Sequence, residues 1–230
     1  MSQINSVSLT DSQTDVQAFM SRVYLWMATA LMVTAVVSAA VAADPAFQIQ
    51  LISSPLFFVL IIGELAVVLV LSLLVNRLSV IAATVLFFAY AALTGVTISM
   101  IFLVYTDASI TATFGVTAGT FAVMSVIGYV TKVDLTRLGG FLLMGLIGVM
   151  LGSIVNLFLQ NSALYWIITY VGILVFVGLT AYDTQKLKRM AAAGLSGEAE
   201  RKASIIGALR LYLDFINLFL MLLRVMGRRR

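Results

Sequence analysis

The stretch IIGALRLYLDFINLFLMLLRVM, Ile205–Met226, decides how the rest of the chain must be read. Crossing about 30 Å of hydrocarbon takes roughly 20 apolar helical residues, and this stretch is long enough, yet it carries Arg210, Asp214 and Arg224. At about 100° of rotation per helical residue, Arg210, Asp214, Asn217, Met221 and Arg224 share one face of that helix. A charge near the bilayer centre costs at least about 2.5 kcal/mol, so such residues turn toward protein or water and mark a pathway or relay. The face therefore belongs inside a bundle, and the other apolar segments must supply its walls.

The composition fits that demand. Hydrophobic residues make up 62% of the chain, charged residues only 10%, and the mean hydropathy is +1.09, whereas soluble domains run near a quarter charged. An all-α integral membrane protein is expected, with about seven spans at roughly 20 residues each. The segments are Val23–Ala43, Pro55–Val75, Val80–Tyr105, Ile110–Thr131, Leu138–Leu159, Ala163–Tyr182 and Ile205–Met226. Together they form one transmembrane domain over residues 19–230, preceded by a polar tail, residues 1–18, with Asp11 and Asp15. The first apolar segment is longer than a signal-peptide core and follows an acidic region, so it reads as a span despite the Ala40-Val41-Ala42 run. Asp183 to Lys202 is the most charged part of the chain and lies in the last connection.

The sequence contains no cysteine and no histidine. Thiolate chemistry, disulfides, His-ligated zinc and the Ser-His-Asp triad are thereby excluded, and any response near neutral pH falls to carboxylates. No glycine-rich phosphate loop is present, so nucleotide binding has no support. The net charge of +4 sits in loops and the tail and reads as orientation signal, not as a nucleic-acid footprint. Arg22, Arg77, Lys132, Arg137, Lys186, Lys188, Arg189, Arg201 and Lys202 all fall on one side, while 44–54, 106–109 and 160–162 have no lysine or arginine. That asymmetry places the amino terminus in the cytoplasm; seven full spans then put Arg228–Arg230 outside, against the same rule, so either the earlier helices dominate or the seventh segment is re-entrant. Gly115 with Gly119, and Gly148 with Gly152, have the GxxxG spacing of close helix contacts. Tyr24, Trp26, Tyr105, Tyr165 and Trp166 fall near span ends, as an interfacial belt does.

Five charged residues rise above this background: Glu64, Asp183, Arg210, Asp214 and Arg224. By position alone Asp183, after Ala181-Tyr182, is a solvated carboxylate at a helix end. Asp214 lies nine residues past Ile205, about 14 Å along a helix and well into hydrocarbon. The sixth and seventh segments are antiparallel neighbours, so the two carboxylates meet if the sixth helix continues through Lys186 and the seventh starts late. Two carboxylates a few ångströms apart in a low dielectric share a proton and titrate in coupled steps, which would let protonation choose between helix arrangements. Arg224 needs a counter-charge, and Glu64, the acidic residue of the second segment, is the candidate for an outer ion pair. Arg210, Asn217 and Met221 complete a pore-facing stripe, with Arg210 one turn from Asp214 and able to favour its ionised form.

Leu211-Tyr212-Leu213-Asp214-Phe215-Ile216-Asn217-Leu218-Phe219, with Leu223-Arg224 beyond it and Tyr182-Asp183 before the charged loop, resembles the Bax inhibitor-1 family, also called the transmembrane Bax inhibitor motif family. The resemblance implies a seven-helix bundle whose last helix is central and wrapped by six others, and a pH-dependent calcium leak controlled by a di-aspartyl pair. That pair would be Asp183 and Asp214, with Glu64 and Arg224 as the outer partners. Bacterial relatives can carry an arginine about eleven residues after that glutamate; Val75 stands there, with Arg77 two positions on.

Three functional classes follow. The first is a pH-sensitive calcium leak of the bacterial inner membrane, without enzymatic activity or cofactor, in which calcium is the transported ion and touches Asp183 and Asp214 only transiently. The second is a regulatory protein that binds other membrane proteins such as a membrane protease. The third, an intramembrane aspartyl protease, is disfavoured because Asp214 is framed by Leu213 and Phe215 rather than glycine. A calcium cage needs six to eight oxygen ligands, which no segment supplies.

Overall fold

The structure, a computed structural model, describes residues 2–230; for residues 2–14 and 76 it describes the backbone alone, so the Asp11 side chain of the polar tail lies outside it. The elements are α1 (Ser2–Ala42), α2 (Pro45–Ser53), α3 (Pro55–Leu74), α4 (Val80–Ile98), α5 (Ile101–Val104), α6 (Asp107–Val130), α7 (Thr136–Leu159), α8 (Ser162–Ala192) and α9 (Gly197–Met226). Seven helical segments are long and apolar enough to cross a membrane: Asp15–Ala42, Pro55–Leu74, Val80–Val104, Asp107–Val130, Thr136–Leu159, Ser162–Ala192 and Gly197–Met226. This is the all-α membrane architecture expected from composition, because helices satisfy every backbone polar group within themselves where no water is available.

Three features depart from the expected outline. The 44–54 connection is not a plain loop but contains α2, with Asp44 Oδ1 accepting from the Phe47 amide at 3.0 Å and Pro45 at the first helical position. Such a start satisfies an orphan amide and uses a residue that has none to spare. Buried Gln48 of α2 donates from Nε2 to the Ser99 carbonyl at 2.6 Å, at the break between α4 and α5. The polar tail is helical from Ser2, continuous with the first span. The charged segment is also mostly helix: α8 runs on to Ala192 and α9 starts at Gly197, eight residues before Ile205. Gly194 closes the short turn between them at φ +79°, a left-handed conformation that glycine adopts without steric penalty.

Two compact units are present. The first comprises residues up to Val104 with Arg189–Tyr212 and Arg230. Within it α1 and α3 both pack on α4. Thr34 of α1 donates to the Ala30 and Ala91 carbonyls at 3.0 and 2.8 Å, and its oxygen lies 2.7 Å from the Tyr212 hydroxyl. Because the threonine proton is committed to carbonyls, Tyr212 is the donor in that contact. Tyr212 also meets Phe87 and Tyr90 edge-on. At the charged end Arg22 and Glu200 pair at 3.1 Å.

The second unit comprises Tyr105–Lys188 and Leu213–Arg229. Its core joins Leu142 and Val149 of α7, Ile168, Val175, Phe176 and Leu179 of α8, and Leu218 and Met221 of α9. Phe215 packs edge-on against Phe114 and Phe121 of α6. Past α9 the Thr106 amide donates to the Arg228 carbonyl at 3.0 Å, and Tyr105 and Arg229 form a bridge. This pairing holds the end of α9 beside the 105–109 connection, as a full seventh span requires and a re-entrant segment would not.

The closest helix contacts form at glycines other than the expected GxxxG pairs. A Cβ at Gly115, Gly119 or Gly148 would meet nothing within 4 Å; of the expected pairs only Gly152 is close to a neighbouring helix, where a Cβ would crowd Ile168 at 3.2 Å. A Cβ at Gly128 would instead strike the Ala181 carbonyl, and one at Gly145 would lie 2.8 Å from Val175 Cγ2. Spacing alone cannot distinguish a glycine that faces a helix from one that faces lipid. Gly128→Ala is expected to lower stability by about 1–3 kcal/mol through overpacking against backbone that cannot yield, while Gly148→Ala leaves it unchanged. Thermal unfolding of both variants in detergent checks this, and equal melting temperatures would count against the contact.

Candidate functional site: buried carboxylates on the last two helices

Of the seven spans the last is the most enclosed: 61% of its apolar window is buried, against 6% for Pro55–Leu74 and for Thr136–Leu159. Its innermost line is Leu211, Asp214, Leu218 and Met221, all buried. The predicted stripe and this line share only part of their residues. Taking Asp214 as reference and about 100° per residue, Leu211 and Leu218 lie to one side, while Arg210, Asn217 and Arg224 drift progressively to the other. Their environments follow that geometry: Arg210 is exposed and Asn217 and Arg224 are half-buried. Asn217 donates to the Leu213 carbonyl at 2.8 Å, an i−4 contact within its own helix. Met221 lies in the hydrophobic core over Gly172. The stripe is thus a shared azimuth rather than one uniform lining.

Asp183 is where position along the chain misled. It is 8% exposed, not a solvated helix end, because α8 continues for nine residues beyond it. Phe176, Leu179, Thr180 and Leu187, on the same side of the helix, are all buried. Asp214 is 5% exposed, and its Oδ2 is fully enclosed. Both carboxylates belong to the second unit. Met221 against Gly172 fixes the register of α9 on α8. Counting from that contact at 1.5 Å per residue, Asp183 lies about 16 Å and Asp214 about 10 Å toward the charged turn, a difference of about one helical turn. The sixth helix does continue past Lys186, as a meeting of the carboxylates requires. The seventh starts early instead of late, yet the antiparallel register still brings the two acids near one level.

Sequence reasoning did not anticipate the groups that hold this end of α8 in place. Gln185, two residues after Asp183, accepts from the Leu135 amide at 2.9 Å and donates to the Val133 carbonyl at 2.8 Å. Lys188 donates to the Tyr129 carbonyl at 2.8 Å and lies 4.7 Å from the centre of that tyrosine ring. α8 is thereby fastened to the last turn of α6 and to the connection between α6 and α7. No motif announces such bonds; an amide and an amine on the inward side of a helix were the only available signal.

The remaining expected residues separate between units. Glu64, half-buried in the first unit, accepts from Thr97 Oγ1 at 2.8 Å. Arg224, in the second, lies 5.2 Å from the centre of the Tyr165 ring and points Nη1 at Met221 Sδ at 3.7 Å. The expected Glu64–Arg224 pair would join one unit to the other. Arg77 ends a single 3₁₀ turn, Val75–Arg77, and is exposed. Among the described residues no three acidic side chains converge into a metal cluster.

Seven long apolar helices with carboxylates held on inward-facing lines define a multi-pass helical membrane protein built around intramembrane acids. The family described as inhibitor of apoptosis-promoting Bax1 matches residues 16–230. The inner membrane protein YbhL of Escherichia coli K12 is 51% identical over 98% of this chain and 97% of its own length. Uncharacterized proteins of Deinococcus radiodurans and Borreliella burgdorferi are 44% and 42% identical, over 98% and 92% of each chain. The chain belongs to the Bax inhibitor-1 family.

Replacing Gln185 by leucine removes both bonds to the 133–135 connection and leaves the Leu135 amide and the Val133 carbonyl, both within reach of solvent, at a cost of about 0.5–1.5 kcal/mol per bond. The expected readout is faster amide hydrogen exchange at Leu135 with exchange at Thr34 unchanged. Undiminished protection at Leu135 would show that Gln185 does not hold that segment.

Proposed function

We propose that this protein is a pH-sensitive calcium leak of a bacterial inner membrane, with its amino terminus in the cytoplasm and Asp183 and Asp214 as the proton-responsive pair. The observation that carries this reading is the burial of both carboxylates on neighbouring antiparallel helices, about one turn apart in register. A shared proton lets two such acids lie together. Loss of that proton leaves two like charges, which at about 6 Å and an effective dielectric of about 20 repel by about 3 kcal/mol, enough to shift the balance between helix arrangements. No tight metal site is needed, because a leak must release its ion as readily as it takes it up. The inner-membrane placement rests on the name of the Escherichia coli relative and on the lysine and arginine asymmetry of the connections.

Calcium flux into proteoliposomes, measured from pH 5.5 to 8.5 with an encapsulated dye, tests the proposal. The wild type is expected to change its flux across that range, and Asp183→Asn and Asp214→Asn are each expected to flatten the dependence while still folding. A dependence that survives in both variants would remove the pair from gating. A wild type without calcium flux at any pH would favour the regulatory membrane protein instead.

A further inference from the structure

At the end of the second unit away from the charged turn lies a cavity of about 610 Å³, formed where α7 hands over to α8 and where α9 ends. Its size is within the range of small-molecule sites. Asn156, Asn161, Tyr165, Trp166, Arg224 and Arg229 line it, and no aspartate or glutamate does.

One lone pair of each side-chain amide oxygen is in use: Asn156 Oδ1 accepts from the Asn161 amide at 3.0 Å, and Asn161 Oδ1 accepts from the Leu164 amide at 3.0 Å. These bonds orient the two amides, and each NH₂ group adds two donors. Gln160, the C-cap of α7, closes the α7–α8 turn at φ +49°, the left-handed conformation in which helices commonly end, with its amide on the Asn156 carbonyl at 2.8 Å. Arg224 brings five N–H donors, and its partners among the described residues are the Tyr165 ring and the Met221 thioether, a weak acceptor. Arg229 adds a second guanidinium at the rim. The cavity is therefore rich in donors and carries positive charge with no carboxylate to offset it, although Gln160, Ser162 and Tyr165 add neutral oxygens. Beside it Trp166 and Tyr170, both exposed, stack at 5.9 Å and 26°, as aromatic residues do at headgroup depth.

We propose that this cavity binds a phosphoryl group, with Arg224 and Arg229 as the charged ligands and the Asn156 and Asn161 amides as neutral donors. Planar guanidinium forks match phosphate oxygens in pairs, and the amide donors favour an acceptor-only ligand. The position next to the aromatic pair points to the headgroup of a phospholipid, although a soluble phosphate would present the same oxygens.

Trp166 reports on the cavity, and Trp26→Phe removes the other tryptophan, leaving a single-tryptophan protein for titration in detergent. Three probes are used: short-chain phosphatidylglycerol, short-chain diacylglycerol and inorganic phosphate. Saturable fluorescence change with phosphatidylglycerol but not with diacylglycerol is expected, weakened roughly tenfold by Arg229→Gln through loss of a charge-assisted contact. Arg229 is exposed near the end of the chain, so this variant keeps the test valid if Arg224→Gln fails to fold. A matching response to inorganic phosphate would show that the phosphoryl group alone is recognised, and its absence would assign the site to lipid. Equal responses to diacylglycerol and phosphatidylglycerol, no saturable response to any probe, or an unchanged affinity in Arg229→Gln, would each overturn the proposal.

Discussion

An ionised carboxylate cannot be left facing hydrocarbon, and Asp214 lies well inside a 30-residue helix with a buried Oδ2. That one requirement organises its surroundings. The helix must turn Asp214 inward, and the residues sharing its line, Leu211, Leu218 and Met221, become core. Neighbouring helices must then cover that line, as α8 does where Gly172 admits the Met221 side chain. Burying the acid in this way costs free energy that apolar helices alone would not incur, and residues retained at such a cost inside membrane helices are characteristically functional.

α9 is also where the two units share a single element, with residues 197–212 in one and 213–226 in the other. Tyr212 and Asp214 lie on either side of that division. Tyr212 is fixed by the Thr34 oxygen and by two edge-on rings. Gln185 and Lys188 do the same for α8, tying the turn after Asp183 to backbone carbonyls and an amide of α6 and the connection that follows it. Both acids thus sit on helices whose backbones are held nearby by neutral or cationic groups.

The opposite end of the second unit has a different chemistry. There the chain gathers guanidinium and amide donors without a carboxylate among the cavity residues, and Arg224 makes its contacts with a ring and a thioether. Asp214 and Arg224 both lie on α9, ten residues apart, one enclosed in the core and the other at the cavity.

The sequence determined the class of the protein by itself. Seven apolar segments fall within a few residues of their observed spans at most ends, because hydrophobic length is a property of the local chain and is set by bilayer thickness. The inward direction of Asp214 was also legible, since an ionisable residue in hydrocarbon has few alternatives. What tertiary structure alone decided was which side each helix turned to which neighbour. Gly128 rather than Gly148 became a close contact, Asp183 was enclosed instead of solvated, and the helical stripe through Asp214 divided between buried Met221 and exposed Arg210. Periodicity places residues on a common azimuth within one helix. It carries no information about the partner that covers that azimuth, because the partner comes from distant parts of the chain and is selected by the packing of whole helices.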